Sequence, residues 1–217
     1  MKGISPVLRT LGIVAAIGIL YYFNQNVVSK KLDDWFATAP DDHLTSARRA
    51  ADNNAIDACL KEIDIAIVEM EDIEVFSDSV SKGLIEKSIE DLRILENHIV
   101  NHELNVDELN LVFAKGINSL AYTYLKISED ELRHDHEIKA VHSLKIVIDH
   151  LYNSMGFLSK RNIDEEMVLI RHIYSVIDSI EQTDNFDFHS LDMLFDEIEH
   201  IISEEESKLM EQRANGA

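Results

Sequence analysis

Two Glu-x-x-His pairs are the residues whose types and spacing could best support chemistry. Glu131 and His134 form the first pair, and Glu197 and His200 form the second. Residues three apart share a helix face, and helical bundles use this spacing to bind pairs of iron or manganese ions. Carboxylates on other helices would complete such a site. The pairs therefore give one hypothesis, a di-metal helical bundle, although a chain this rich in Glu and His contains about one such pair by chance.

A second candidate metal site lies where the second predicted helix ends. His98 and His102 are four residues apart, and in a helix this spacing turns two imidazoles to one face, where they can chelate a divalent ion. Histidines in the last turn of a helix are also favoured by the negative end of the helix dipole. Solvent-exposed histidines at a helix end are the simpler interpretation, and we predict no cofactor.

Motifs of nucleophilic catalysis and nucleotide binding are missing from the sequence. It contains no Gly-x-Ser-x-Gly and no glycine-rich loop that could hold phosphates. The single cysteine, Cys59, excludes an intrachain disulfide and any site built from several cysteines. Cys59 falls on an apolar helical face, which predicts a small core residue. We therefore expect a protein without catalytic activity.

The N-terminal region predicts a membrane anchor. Residues 11–23 (LGIVAAIGILYYF) carry no charge, and Arg9 can extend its guanidinium to the headgroups. Anchor residues are Leu11, Ile13, Ile17, Leu20, Tyr21 and Tyr22. The alternative is a cleaved secretory signal, against which stands the absence of a small-residue cleavage site directly after Phe23. A short basic N-terminus favours an extracytoplasmic domain, but Lys30 and Lys31 on the other flank leave the cytoplasmic orientation open.

The charge of the remaining chain indicates the class of partner. The whole sequence has a net charge of −21, and the first 31 residues contain four basic and no acidic side chains, so residues 32–217 carry −25. Such a surface repels nucleic-acid phosphates. A protein partner, and specifically a basic one, would be attracted to it. Homo-oligomerisation is also compatible with the sequence.

Apolar periodicity predicts an all-α fold. An apolar stripe at three-four spacing runs through each of six segments, and only two prolines occur, both at or before position 40. Short loops between long helices predict antiparallel packing, either as a bundle or as stacked helical hairpins. The segments are 44–76, 79–102, 106–127, 129–160, 163–182 and 187–212.

Local signals predict where these helices begin and end. Pro40 is expected to end a helical stalk. Capping boxes, in which a polar cap precedes Glu by three residues, predict helix starts at Asn105, Ser128 and Asn162. The resulting organisation is an anchor (1–25), a stalk (26–42), an acidic helical domain (43–213) and a disordered tail (214–217).

Together these features predict a single-pass, membrane-anchored helical module that binds other proteins as a scaffold, adaptor or assembly factor. The alternatives are the metal-binding bundle and a ligand-sensing helical domain. Contact residues are expected among aromatic side chains outside the apolar stripes: Trp35, Phe36, Tyr122 and Phe157.

Overall fold

The computed structural model describes residues 37–158, 160–182 and 187–216, with the side chains of 160–162 and 215–216 left out. These residues form seven α-helices and no strand, which confirms the all-α prediction. In chain order the helices are α1 (37–52), α2 (Ile56–Glu74), α3 (Ser79–Val100), α4 (Val106–Arg133), α5 (Glu137–Ser154), α6 (Lys160–Gln182) and α7 (His189–Gly216). A short 3₁₀ turn, Met155–Phe157, follows α5.

Helix α4 is the centre of a helical bundle. It packs against its sequence neighbours α3 and α5 and also against α7, which is distant in the chain. Most side chains from Leu109 to Leu125 are buried. Helix α1 is joined to α4 by a 2.7 Å hydrogen bond that Arg48 donates to Asn110. The contact between α4 and α7 supports a bundle rather than a linear stack of hairpins.

The apolar residues form two clusters that meet along α4. One cluster holds residues of α1, α2 and α3 together with α4 as far as Leu120. The other begins at Ala121 and continues through α5, α6 and the first half of α7. Part of the apolar stripe predicted for the first segment is confirmed, since its members Cys59, Ile63 and Met70 are fully buried.

Three helices end at a residue in the left-handed conformation, and none of the three is glycine. Asn54, His102 and Asp135 have φ values of 55°, 62° and 58°. At each one the N–H of the following residue bonds to the carbonyl five residues before it, as Ala55 N does to Ala50 O at 2.9 Å. This is the Schellman arrangement, which satisfies the last carbonyls of a helix.

The observed helix bounds correct three sequence predictions. The predicted segment 44–76 is two helices, because Asn54 ends α1. Pro40 does not end a helix, since residues 37–52 form one continuous helix that includes it. Helix α7 continues to Gly216, so residues 214–216 are helical rather than a disordered tail.

The three predicted capping boxes have different outcomes. Asn105 caps α4 as expected, accepting hydrogen bonds from the N–H groups of Asp107 and Glu108. Ser128 is wrong as a start, because it is buried inside α4 and donates to the carbonyl of Ala140 at 3.1 Å. Asn162 is also wrong, since α6 already begins at Lys160. A capping box specifies a local preference, and tertiary packing overrides it here.

The Asn54 stop gives a first prediction. A β-branched residue at positive φ costs about 1–2 kcal/mol, whereas glycine adopts this conformation without penalty. Asn54→Val should therefore lower the free energy of unfolding by at least about 1 kcal/mol in urea titrations. Asn54→Gly is the matched control and should change it little; equal losses from both variants would contradict the role of Asn54.

Candidate functional site

Polar side chains lie inside the bundle where the two apolar clusters meet. Lys115, Asn118 and Ser119 of α4 are all between 0% and 2% exposed. Each buried polar group must find a partner or cost free energy, so these three side chains dictate which groups the neighbouring helices bring to α4. Lys115 belongs to an ionic network and Asn118 to an amide–carboxyl cluster, while the Ser119 hydroxyl lies 2.8 Å from that of Ser88 on α3.

The ionic network joins α3, α4 and the end of α7. Lys115 Nζ lies 2.6 Å from Asp91 Oδ2, and Arg213 donates to Asp91 at 2.8 Å and to Glu108 at 2.9 Å. His98 completes it with a 3.0 Å contact to Glu108. The two acids of the network, Asp91 and Glu108, are matched by its two cations, Lys115 and Arg213, so these four charges sum to zero. Its role is to join helices rather than to bind a substrate.

The amide–carboxyl cluster joins four helices. Asn118 Nδ2 lies 3.2 Å from Glu166 of α6 and 3.1 Å from Glu205 of α7, and Ser154 of α5 contacts the second oxygen of Glu166 at 2.8 Å. All four residues are fully buried. Burial raises the pKa of Glu166 to about 7 and that of Glu205 to about 8, the latter with a contribution from the charge of Glu166.

A third buried polar group fastens α1 to α5. Asp41 lies 2.8 Å from His150 Nδ1 and 2.9 Å from Asn153 Nδ2, and the side chains of Asp41 and His150 are completely inaccessible. Asp41 comes directly after Pro40, in the segment that the sequence assigned to a stalk. These contacts join the two helices through side chains that are closed to solvent.

The solvent-accessible candidate site is a groove of about 590 Å³ between the loop that follows α2 and the C-terminal half of α4. Its lining comes from two stretches of chain: Phe76, Ser77 and Asp78 on the loop side, and Thr123, Lys126, Ile127, Glu129, Asp130 and Arg133 on α4. A smaller cleft of about 240 Å³ lies between α6 and α7. We define the larger one as the α4 groove.

The apolar residue that the loop contributes to the α4 groove is exposed to solvent. Phe76 is 83% exposed and its neighbour Val75 is 74% exposed. Their loop is nevertheless held in place, because Phe76 N and the Ser77 hydroxyl both donate to the carbonyl of Ile73. The loop therefore presents an aromatic ring to solvent on a fixed backbone.

The charged part of the groove is acidic once its internal pairs are counted. Glu129 accepts from Lys126 at 3.1 Å and from Arg133 at 2.5 Å. Burial acts to raise the pKa of Glu129, but these two hydrogen bonds outweigh it and hold the pKa below its ordinary value. Lys126 also lies 3.6 Å from the centre of the Phe195 ring. Both cations are thus engaged. The two other acids of the lining are Asp78, which also accepts from Ser81 N at 2.7 Å as the cap of α3, and Asp130, which lies 3.6 Å from His134.

The residues of the predicted di-metal site are used in separate ion pairs. Glu131 contacts His136 at 2.6 Å, and Glu197 contacts His172 at 2.9 Å. His134 is the cap at the end of α4, and His200 is 3.5 Å from Glu204 on its own helix. Within the described residues, no group of three or more His, Cys, Asp or Glu side chains is arranged to hold a metal ion.

The two histidines of the other candidate metal site do not share a helix face. Helix α3 ends at Val100, and His102 lies beyond it at positive φ as the residue that terminates the helix. His98 remains in the last turn, where it contacts Glu108. The four-residue spacing gives the chelating geometry only when the helix continues through both positions, which it does not.

Two of the four predicted contact residues are buried. Tyr122 is 2% exposed and donates to Glu199 at 2.9 Å, while Phe157 packs edge-on against Phe113 with ring centres 5.5 Å apart. Burial and the hydrogen bond to Glu199 raise the pKa of Tyr122. Trp35 and Phe36 lie outside the described residues, as do the anchor residues between Leu11 and Tyr22. None of the helices in the described part of the chain is long and apolar enough to cross a bilayer.

Sequence reasoning missed the groove residues and the buried carboxyls. Phe76 follows the apolar stripe of its segment and carried no separate signal, although a Phe beside Ser77 and the cap Asp78 is unusual for a helix-connecting loop. Glu166 and Glu205 lie among many other acidic residues. No local pattern distinguishes them.

Comparisons of the chain with protein-family models, with curated proteins and with solved structures find no match.

The ionic network gives a second prediction. Asp91 is the acceptor for both Lys115 and Arg213, so Asp91→Asn leaves the Lys115 ammonium buried without a carboxylate. Removing one partner of a buried ion pair costs about 3 kcal/mol or more, which urea unfolding should detect. Glu90→Gln, a change of the adjacent exposed acid, should stay within about 0.5 kcal/mol of the parent. Equal effects of the two variants would refute the pairing.

Proposed function

We propose that the chain is a membrane-anchored helical module that binds a basic protein segment in the α4 groove. The observation that carries this proposal is the groove itself, whose lining contains the exposed ring of Phe76 and the acidic residues Asp78 and Asp130. The proposed role is that of a scaffold, adaptor or assembly factor without catalysis.

The apolar contact would supply affinity. An exposed aromatic ring gains about 1.5–3 kcal/mol when it becomes buried, and aromatic anchors dominate many protein interfaces. Phe76 loses little conformational freedom on binding, because its backbone is already fixed through Ile73. Fixed, exposed aromatic side chains of this kind favour a protein surface as the partner.

The charges would supply selectivity. Asp78 and Asp130 stand on opposite walls of the groove, and a lysine or arginine side chain entering between them would meet two carboxylates. Residues 32–217 add a long-range negative field through their net charge of −25. Such a field accelerates encounter with basic partners and suppresses acidic ones.

The N-terminal apolar stretch supports the tether, since counted from Ile4 to Phe23, with Arg9 near one interface, it approaches the roughly 20 residues that a bilayer crossing needs. A tether confines the groove to the membrane surface and so raises its effective concentration for partners there. An extracytoplasmic position of the domain is part of the same proposal.

Site-specific photocrosslinking in cells tests the proposal. A benzoylphenylalanine at position 76 of the C-terminally tagged full-length chain should yield one dominant crosslinked protein, linked through a segment containing lysine or arginine. The same photoprobe at position 210 is the matched control, because Met210 is also exposed (60%) and lies on α7 close to Arg213, which contacts Glu108 at the opposite end of α4 from the groove. Identical crosslinks from both positions would refute the groove, and a crosslink only to a second copy of the chain would replace the hetero-partner with self-association.

A charge reversal tests selectivity separately. Asp130→Lys should reduce the yield of the position-76 crosslink several-fold, because it removes one of two carboxylates and adds a repelling cation. Glu211→Lys makes the same charge change at an exposed position on α7, near Arg213 and the opposite end of α4, and should leave the yield within about twofold because salt screens a charge at that distance. A reduction that is the same for both variants would mean that only the overall charge of the domain matters.

A further inference from the structure

Two glutamates that the proposed function does not use converge on one amide inside the bundle. Asn118 Nδ2 is 3.2 Å from Glu166 Oε1 and 3.1 and 3.2 Å from the two oxygens of Glu205. All three residues are 0% exposed. The carboxyls come from α6 and α7 and the amide from α4, so this single contact holds three helices together.

The contacts around the cluster outnumber the available hydrogens. Ser154 Oγ lies 2.9 Å from the carbonyl of Leu151 and 2.8 Å from Glu166 Oε2, yet a hydroxyl has one hydrogen. Asn118 Nδ2 has two hydrogens for three carboxyl oxygens. A proton on Glu166 Oε2 resolves the first shortage, because it can be donated to Ser154 while Ser154 donates to Leu151.

The second carboxyl is also short of hydrogen-bond donors. The two hydrogens of Asn118 Nδ2 can serve at most two of the three carboxyl oxygens that lie within 3.2 Å of it. At least one of these oxygens therefore lacks a hydrogen from Asn118. A buried carboxylate with fewer hydrogen bonds binds a proton more readily.

Nearby cations do not neutralise the pair. Lys115 of α4 is bonded to Asp91 of α3 at 2.6 Å, and Lys208 of α7 is bonded to Glu204 at 3.2 Å. Both lysines act on Glu205 by electrostatic attraction at a distance and not by a hydrogen bond. Two ionised carboxylates would thus face each other in a fully buried site with their nearest cations already paired, an arrangement that is costly in a low-dielectric interior.

We infer that Glu166 and Glu205 form a proton-binding site, and that bound protons hold α6 and α7 against Asn118 of α4. Loss of both protons converts a hydrogen-bonded cluster into two repelling buried charges. The packing of α6 and α7 on α4 therefore depends on the acidity of the compartment in which the domain stands. This inference is independent of the α4 groove and of its partner.

The pKa values give the direction and range of the effect. Burial raises the pKa of Glu166 from 4.5 to about 7 and that of Glu205 from 4.5 to about 8. Because the folded-state pKa values are the higher ones, the stabilisation is complete below pH 4.5 and is lost as pH rises through 7 and 8. Between these limits the folded chain retains about two protons that the unfolded chain has released.

Carbon NMR of the full-length protein in detergent, labelled at the glutamate side-chain carboxyl, reads the proton directly. Three carboxyl resonances should remain in the protonated position at pH 6 and titrate at higher pH: those of Glu166 and Glu205, and that of Glu96, whose pKa burial and the neighbouring Asp64 also raise to about 7. Glu166→Gln and Glu205→Gln should each remove one of them, and Glu211→Gln, an exposed change on α7, should remove none. Fewer than two protonated glutamate carboxyls at pH 6 in the parent protein would overturn the inference without any variant.

Thermal unfolding measures the effect of these protons on the stability of the domain. Gln cannot ionise, so the double variant Glu166→Gln/Glu205→Gln should match the parent near pH 5 and melt at a higher temperature than the parent near pH 9. Glu211→Gln should follow the parent throughout. A constant difference between the double variant and the parent over this range would show that the carboxyls act only through packing, and would overturn the inference; if the double variant fails to fold, the NMR titration of the parent still decides.

Discussion

The burial of polar side chains on α4 is the constraint on which the rest of the bundle depends. A helix surrounded by apolar neighbours alone could rotate or slide at little cost, but Lys115 and Asn118 require partners at defined positions. Asp91 on α3 and the two carboxyls on α6 and α7 meet that requirement. The polar groups thus select one arrangement of helices that the apolar stripes alone would leave ambiguous.

The same constraint connects stability to function. The ionic network and the amide–carboxyl cluster occupy the first two-thirds of α4, and the groove is formed by its last third, between Thr123 and Arg133. One helix therefore holds buried polar side chains along one part of its length and lines the groove along another. The other side of the groove is the loop that follows α2, whose backbone is held through Ile73. Binding residues that are placed on rigid elements in this way keep a fixed geometry.

Helix termination shows where local patterns lose their predictive power. Asn105 follows a local rule and caps α4 in the structure. Ser128 satisfies the same rule but is buried inside α4, because extending the helix to Arg133 lets its hydroxyl reach the carbonyl of Ala140. Asn54 and Asp135 tolerate positive φ, yet they resemble any other polar residue in a periodic segment until the backbone is seen.

The sequence by itself determined the helical class, the apolar faces, the single buried cysteine and the negative charge of residues 32–217. All of these follow from composition or from a period of three to four residues, which is a local property of the chain. Only the tertiary structure decided that Tyr122 is buried and Phe76 exposed, that the paired Glu and His residues form separate ion pairs, and that Glu166 and Glu205 meet at Asn118. Whether a polar or aromatic side chain is buried depends on which distant helix packs over it, and no local pattern contains that information.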